Sequence, residues 1–102
     1  MVQLSVILPT YNEVANIEVI IESLTRVLKD HIYEIIVVDD NSPDGTYDTV
    51  HNLTLQDRKI HGIRRPSKLG LGSAILEGLT KAKGEYIAVM DSDLSHKPED
   101  LI

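Results

Sequence analysis

Two acidic residues near the end of the sequence have the spacing of a metal site. Asp91 and Asp93 follow an apolar run, Tyr86 to Met90, that predicts a strand buried on both faces. Residues i and i+2 of an extended chain point the same way, so the two carboxylates can converge on one point. Mg²⁺ and Mn²⁺ prefer oxygen ligands, and Mg²⁺ is commonly shared with the phosphates of a substrate. The pair therefore favours a metal–phosphate site; the alternative is that both residues only end the strand and begin a turn.

The elements that must position this pair alternate between strands and helices. Apolar, β-branched runs predict four strands, at residues 4–8, 33–38, 59–64 and 86–90. Apolar residues at helical spacing predict three helices, at about residues 17–28, 46–56 and 72–83. The order β-α-β-α-β-α-β with short connections implies an α/β fold with a parallel sheet and helices on both faces.

Local features refine this prediction. Pro9 is expected to end the first strand because it cannot donate to a ladder, and Pro98 predicts the start of a fourth helix. The strand at 59–64 is short and polar, which places it near an edge. Asn12 or Asn16 suits the N-cap of the first helix. The inward face of the third helix is expected to carry Ile75, Leu79 and Ala82.

Polar clusters follow three of these strands. Parallel strands bring their carboxyl ends to one edge of the sheet, which is where ligands of open α/β sheets bind. The clusters should therefore converge, and their convergence is stronger evidence for a site than the Asp pair by itself. The residues concerned are Tyr11, Asn12, Glu13, Asp39, Asp40, Asp91 and Asp93.

Composition limits the function classes. The chain of 102 residues is one small domain at most, and its net charge of −6 argues against a nucleic-acid surface. It has no Cys, which excludes disulfides and thiolate metal sites. No apolar run has the length of a membrane span, and Met1 leads straight into a strand, so neither a span nor a signal peptide is expected in this sequence.

Two common nucleotide-binding fingerprints are absent. The first strand is followed by PTYNE in place of G-x-G-x-x-G, and the KLGLG segment at 68–72 lacks the P-loop pattern, which disfavours a Rossmann oxidoreductase and a P-loop NTPase. Asp39 or Asp40 nevertheless resembles the acid that accepts hydrogen bonds from a ribose in dinucleotide folds. A tight turn into a helix is the favoured role of Gly70 and Gly72, and an exposed loop position is favoured for His96.

Four motifs in sequence order carry a resemblance to a known family. They are ILPTYNE (7–13), VVDDNSPDGT (37–46), KLGLG (68–72) and MDSDLSH (90–96). Together they resemble the family-2 glycosyltransferases, and most closely their dolichyl-phosphate (polyprenyl-phosphate) mannosyltransferase branch. The resemblance covers essentially the whole sequence. The motifs are modest singly and specific jointly, and the PDGT segment at 43–46 favours the polyprenyl-phosphate branch.

The resemblance implies a GT-A fold and a role for each matching position. Residues 1–102 would be the Rossmann-like, nucleotide-sugar-binding half of that fold, and the sequence is expected to be truncated. Its nucleotide site would comprise Pro9, Tyr11 and Glu13 around guanosine, Asp40 with Asp39 on the nucleoside, and Lys68 beside the diphosphate. Its catalytic metal site would comprise the D-x-D pair Asp91 and Asp93, bridging Mg²⁺ or Mn²⁺ to the diphosphate, with Ser95 where some relatives carry a Gln ligand.

The resemblance also implies an activity and partners. The expected reaction is metal-dependent, inverting transfer of mannose from GDP-mannose to dolichyl or another polyprenyl phosphate, whose anionic phosphate needs no general base. The parent enzyme would work at the cytoplasmic side of a membrane, whereas this chain would be soluble and would bind nucleotide without completing transfer. Self-association through uncovered sheet edge or apolar surface, or a membrane-anchoring partner, is a further expectation.

Two alternatives remain open at the level of sequence. A UDP-sugar transferase, such as a dolichyl-phosphate glucosyltransferase, shares the same motifs. The segment IIVVDD at 35–40 also resembles the acidic strand end of a phosphoacceptor receiver domain. That second alternative is disfavoured because a receiver needs a Lys at a later strand end, and no strand follows the Asp-x-Asp to supply it.

Overall fold

The computed structural model describes residues 1–91 and confirms the predicted α/β architecture. Its strands are β1 (Leu4–Thr10), β2 (Tyr33–Asp39), β3 (Ile60–Arg64) and β4 (Tyr86–Val89). Its helices are α1 (Ile17–Val27), α2 (Thr46–Gln56) and α3 (Leu71–Lys81). The strands are parallel in the order β3-β2-β1-β4, so all carboxyl ends lie at one edge. The fourth helix predicted from Pro98 lies outside the described residues.

One face of the sheet carries the larger part of the core. Alternate residues of β1 and β2 point toward α1 and α2 because successive strand side chains point to opposite faces. The predicted apolar stripe of α1 is buried as expected. This cluster includes Val6, Leu8, Ile17, Ile20, Ile21, Leu24, Leu28, Ile35, Val37 and Val50. Asn16 occupies the N-cap position of α1, but its side chain makes no capping hydrogen bond.

The other face is covered by α3, which approaches the sheet through small residues. Ala74 and Gly78 are buried, and a Cβ on Gly78 would lie 2.7 Å from Cγ2 of Ile7. The predicted inward face was therefore wrong for Leu79, which is 42% exposed. A helix that packs on its small residues lies close to the strands, and its larger side chains are left at its flanks.

Pro9 does not end β1, contrary to the prediction. The strand continues to Thr10, and Pro9 pairs in register with Val38. The amide of Met90 donates to the carbonyl of Ile7, so by alternation the nitrogen of Pro9 also faces β4. Among the described residues, the last β1–β4 pair is Ile7 with Val89, so Pro9 lies beyond the paired positions on that side of β1. A proline is best tolerated near the end of a ladder, because its nitrogen has no hydrogen to donate.

The sequence-based prediction was right for one edge strand of the sheet and wrong for the other. β3 is an edge strand, as its polarity indicated. β4 is the other edge strand and is not buried on both faces as expected, since Tyr86 is 67% exposed and Val89 41% exposed. Its apolar run is uncovered because, among the described residues, only β1 pairs with it.

Candidate active site at the carboxyl edge of the sheet

The carboxylate of Asp39, the last residue of β2, has a structural role at the carboxyl edge of the sheet. It is fully buried. Its Oδ1 accepts hydrogen bonds from the Thr10 hydroxyl at 2.7 Å and the Ser42 hydroxyl at 2.6 Å, and its Oδ2 accepts from the Ser42 amide at 2.9 Å. Asp39 therefore joins the end of β1 to the loop after β2 and presents no carboxylate surface to a ligand.

Asp40, the next residue, points to the other side of the sheet and pairs with a buried arginine. Its Oδ1 accepts from Arg65 Nε at 2.6 Å, and its Oδ2 accepts from the amides of Leu69 at 3.1 Å and Gly70 at 3.0 Å. Burial by itself would raise the pKa of Asp40, but these hydrogen bonds and the guanidinium charge outweigh it and hold the pKa below its ordinary value. Asp40 is therefore ionised at neutral pH and anchors the loop that follows β3.

That loop brings Lys68 onto Tyr11. The Lys68 ammonium lies 4.3 Å from the centroid of the Tyr11 ring, which is a cation–π distance. Beside this contact is a cavity of about 160 Å³. Its lining residues are Pro9, Thr10, Tyr11, Asp40, Lys68, Gly70, Leu71 and Ala74. The structure thus brings together four of the predicted nucleotide-site residues: Pro9, Tyr11, Asp40 and Lys68.

The loop after β1 is held by side chains of the loop after β2. The amides of Asn12, Glu13 and Val14 donate to Ser42 Oγ, Thr46 Oγ1 and Asp44 Oδ2 at 2.9, 3.0 and 3.1 Å. Asn12 has a φ of 56°, a conformation that costs energy and needs such support. Burial would raise the pKa of Asp44, but hydrogen bonds from Thr46 and Val14 outweigh it and lower the pKa.

Glu13 stands apart from the cavity. Glu13 is not among the described residues that line this cavity. Its carboxylate is 3.5 Å from the side-chain amide of Asn16 at the start of α1. Its backbone amide, in contrast, belongs to the interloop contacts.

Asp91 follows the last residues of β4 at the same edge and is exposed. Val89 is paired with Ile7, so continuing that register brings Asp91 to the level of Pro9. Asp93, Ser95 and His96 lie outside the described residues. Within residues 1–91, no group of three or more His, Asp or Glu side chains could hold a metal ion.

A larger cavity, of about 620 Å³, lies between α1 and α2 rather than at the strand ends. Its rim carries the carboxylates Glu18, Glu22 and Asp57, and no Lys or Arg lines it. An uncompensated acidic rim repels phosphate, so the smaller cavity beside Lys68 is the better site for an anionic ligand.

Arg65 was not among the residues predicted for this site, although it follows β3 at the same edge as Asp40. An Arg at one strand end and an Asp at the neighbouring one is a detectable signal for an ion pair, because the register of parallel strands brings such ends together.

Comparisons with known proteins agree with this geometry. The profile of glycosyl transferase family 2 matches residues 5–102. A dolichol-phosphate mannosyltransferase of Pyrococcus furiosus is 42% identical over 95% of this chain and 27% of that protein. One of Saccharomyces cerevisiae is 40% identical over 96% of this chain and 38% of that protein. The chain thus spans between 27% and 38% of the length of these relatives.

Solved structures give the same fold. A mannosyltransferase of Pyrobaculum calidifontis in complex with GDP-Man and Mn²⁺ has a TM-score of 0.81 at 28% identity, over 89% of this chain and 27% of that one. TarS of S. aureus in complex with UDP has a TM-score of 0.81 at 30% identity, over 97% of this chain and 30% of that one. The predicted GT-A fold class is therefore confirmed. None of the helices in residues 1–91 has the length and apolarity to cross a membrane.

Proposed function

Because the chain belongs to glycosyl transferase family 2, we propose that residues 1–102 are the nucleotide-sugar-binding part of a GT-A dolichyl-phosphate mannosyltransferase. The complete enzyme transfers mannose from GDP-mannose to dolichyl or another polyprenyl phosphate with inversion. The observation that carries this proposal is the cavity at the carboxyl edge, where Tyr11, Asp40 and Lys68 meet. Family membership displaces the receiver-domain alternative.

The residues around the cavity divide the recognition of the nucleotide. Lys68 supplies the positive charge that a diphosphate needs on an acidic protein, and the Tyr11 ring beneath it supplies a flat apolar surface for the nucleoside. Pro9 forms part of the wall. Asp40 retains acceptor capacity on Oδ1, which takes one donor from the protein. Asp39 contributes by shaping the loops, as does the backbone amide of Glu13. The Glu13 carboxylate, which lies outside the cavity lining, would serve as an acceptor for a part of guanosine that extends beyond the cavity.

Asp91 and Asp93 would hold Mg²⁺ or Mn²⁺, with Ser95 as a further oxygen ligand. The residues fit such an ion, because a hard cation takes one or two carboxylates together with substrate phosphates and Asp91 is an exposed acidic residue at the edge. When bound, the ion would stabilise the negative charge that develops on the departing diphosphate. Alternation of strand side chains supports Asp91: Met90 is buried on the α1 face, so the next residue is directed to the face that carries the cavity.

The acceptor side of the reaction would lie in the remainder of the parent protein. A polyprenyl phosphate is already an anionic nucleophile, so the site needs orientation and charge stabilisation more than a base. The chain by itself is expected to bind nucleotide without completing transfer. A lipid-phosphate acceptor would bring the parent enzyme to a membrane surface, through the remainder of the protein or an anchoring partner.

A UDP-sugar donor is the second candidate, because TarS in complex with UDP superposes as well as the GDP-Man complex. Calorimetric titration of GDP and UDP into the chain, with and without Mn²⁺, separates the two. We expect metal-dependent binding of GDP that Asp91→Ala removes, while Asp30→Ala, an exposed acid at the opposite edge, leaves it intact. A preference for UDP would replace mannose transfer by a glucosyl-type reaction, and no binding by the folded chain would contradict the assignment of residues 1–102 as a self-sufficient nucleotide site.

A further inference from the structure

Arg65 is a buried arginine whose three side-chain nitrogens each donate a hydrogen bond. It is 2% exposed. Nε donates to Asp40 Oδ1 at 2.6 Å, Nη1 donates to Ser73 Oγ at 2.6 Å, and Nη2 donates to the carbonyl of Gly70 at 2.9 Å. Asp40 raises the pKa of Arg65 further above its ordinary value, so the charge is permanent. This is a rigid, desolvated fork rather than a surface cation.

The contacts of this fork enclose the loop between β3 and α3. The loop begins at Arg65, whose amide donates to the Asp39 carbonyl at 2.8 Å. It ends at Gly70, whose carbonyl is bound by Arg65 and whose amide is bound by Asp40. Gly70 has a φ of 100°, which a residue with a side chain rarely adopts. Both ends of the loop are thus held by one buried ion pair, and Lys68 lies between them.

We propose that Arg65 is a positioning residue for the nucleotide site: it fixes the 65–70 loop so that Lys68 stands over Tyr11, ready for the diphosphate. This inference rests on the proposed function for its ligand and on the contacts of Arg65 for its mechanism. A lysine at position 65 would keep the charge beside Asp40. It would lack the planar fork that reaches Asp40, Gly70 and Ser73 at once.

The neighbouring Arg64 provides a matched control. Successive residues of β3 point to opposite faces, and Arg64 lies over the ring of Tyr47 at 5.7 Å, on the α2 side. It makes none of the described contacts with the 65–70 loop. Arg64→Lys therefore changes the same residue type at the adjacent position without touching the fork.

Amide hydrogen exchange of the ligand-free 102-residue chain tests the mechanism. In Arg65→Lys we expect the amides of Leu69 and Gly70 to exchange about tenfold faster or more, because their acceptor Asp40 loses its fixed position. In Ser73→Ala, which removes one of the three hydrogen bonds of Arg65, we expect a smaller increase. Amides of the central strand β2 should be unchanged, which shows that the variants fold. Arg64→Lys should match the wild type. Unchanged exchange of Leu69 and Gly70 in Arg65→Lys would overturn the proposal whatever the nucleotide result.

A double-mutant cycle tests the link to the ligand. In the wild type, Lys68→Ala should weaken Mn²⁺–GDP binding roughly fivefold, the scale of one charge-assisted contact. In the Arg65→Lys background the same substitution should change the affinity less than about twofold, because Lys68 is already displaced. An equal factor in both backgrounds would refute the coupling. If wild-type chain binds neither GDP nor UDP, the proposed function fails, while the exchange experiment still decides whether Arg65 fixes the loop.

Discussion

Substitutions of Asp39 test whether its carboxylate stabilises the loops at the carboxyl edge or binds the ligand. Its Oδ1 accepts from two hydroxyls, those of Thr10 and Ser42, whereas its Oδ2 accepts from the Ser42 amide. An asparagine can turn its oxygen toward the amide, which cannot change direction. Its two N–H groups then face the two hydroxyls, which can rotate to accept. Asp39→Asn therefore keeps the network with its donors reversed, and Asp39→Ala removes it.

The magnitudes of the two substitutions should differ clearly. In Asp39→Asn the reversed network loses its charge assistance, and Ser42 Oγ must accept from the new amide as well as from the amide of Asn12. We expect a loss of about 1–2 kcal/mol in the free energy of unfolding. Asp39→Ala leaves a buried amide and two buried hydroxyls without their acceptor and opens a cavity, for which we expect about 3–5 kcal/mol. A domain of this size is typically stable by roughly 5–15 kcal/mol, so the alanine variant would be close to unfolding.

Urea unfolding of the chain, with Asp30→Asn as an exposed control, measures both losses. Nucleotide titration of Asp39→Asn provides the second readout, and we expect its affinity to stay within about twofold of wild type, since the carboxylate has no exposed surface. Equal destabilisation by Asn and Ala would refute the donor-reversal argument. Loss of nucleotide binding by a stable Asp39→Asn variant would contradict the expectation that the reversed network keeps the loops of the site in place.

Three other predictions concern Asp40, the packing of α3 and the exposed strand β4. The pKa of Asp40 is held below its ordinary value, so its contribution to stability is complete above the unfolded-state pKa of about 3.9 and is lost as pH falls through the folded-state pKa. The difference in free energy of unfolding between wild type and Asp40→Asn, measured with urea, should therefore decrease from pH 7 to pH 3, and a constant difference would contradict this. Gly78→Ala should cost about 1–3 kcal/mol because its Cβ would press on Ile7, whereas Gly72→Ala, which meets no atom within 4 Å, should be neutral or stabilising by up to about 1 kcal/mol in the same urea assay. Val89→Lys, on the exposed edge strand, should reduce self-association in sedimentation velocity at high concentration, and a wild type that stays monomeric there would remove the premise.

The order of elements was predictable from the sequence because each strand and helix carries its own periodicity. β2 is buried at every position and α1 has a clean apolar stripe, so both were predicted to within a residue or two. The errors occur where a neighbour decides the outcome. The sequence shows neither the extent of β4 nor its position at the edge of the sheet. Without that information, Pro9 was predicted to end β1 and β4 was predicted to be buried on both faces.

The candidate site was predictable in its location and less so in its internal contacts. Parallel topology is sufficient to bring Tyr11, Asp40 and Asp91 to one edge. It does not reveal that Lys68 lies over Tyr11, because that contact depends on the path of a loop with a left-handed Gly70. The path is fixed in turn by Arg65, whose partners are separated from it by 25 residues on one side and 8 on the other.

Side chains alternate between the two faces of the sheet along each strand, so the carboxyl edge has a different role on each face. Asp39 and Asp40 are adjacent in sequence, yet one is directed to the α1 and α2 side and the other to the α3 side. Arg64 and Arg65 divide in the same way, one over Tyr47 and one onto Ser73. The first side stabilises the loops after β1 and β2 through buried polar contacts. The second side contains the cavity, and there Asp40 both anchors the 65–70 loop and lines the cavity. The two acids at the end of β2 therefore differ in their tasks: Asp39 stabilises loops, whereas Asp40 serves both a loop and the ligand site.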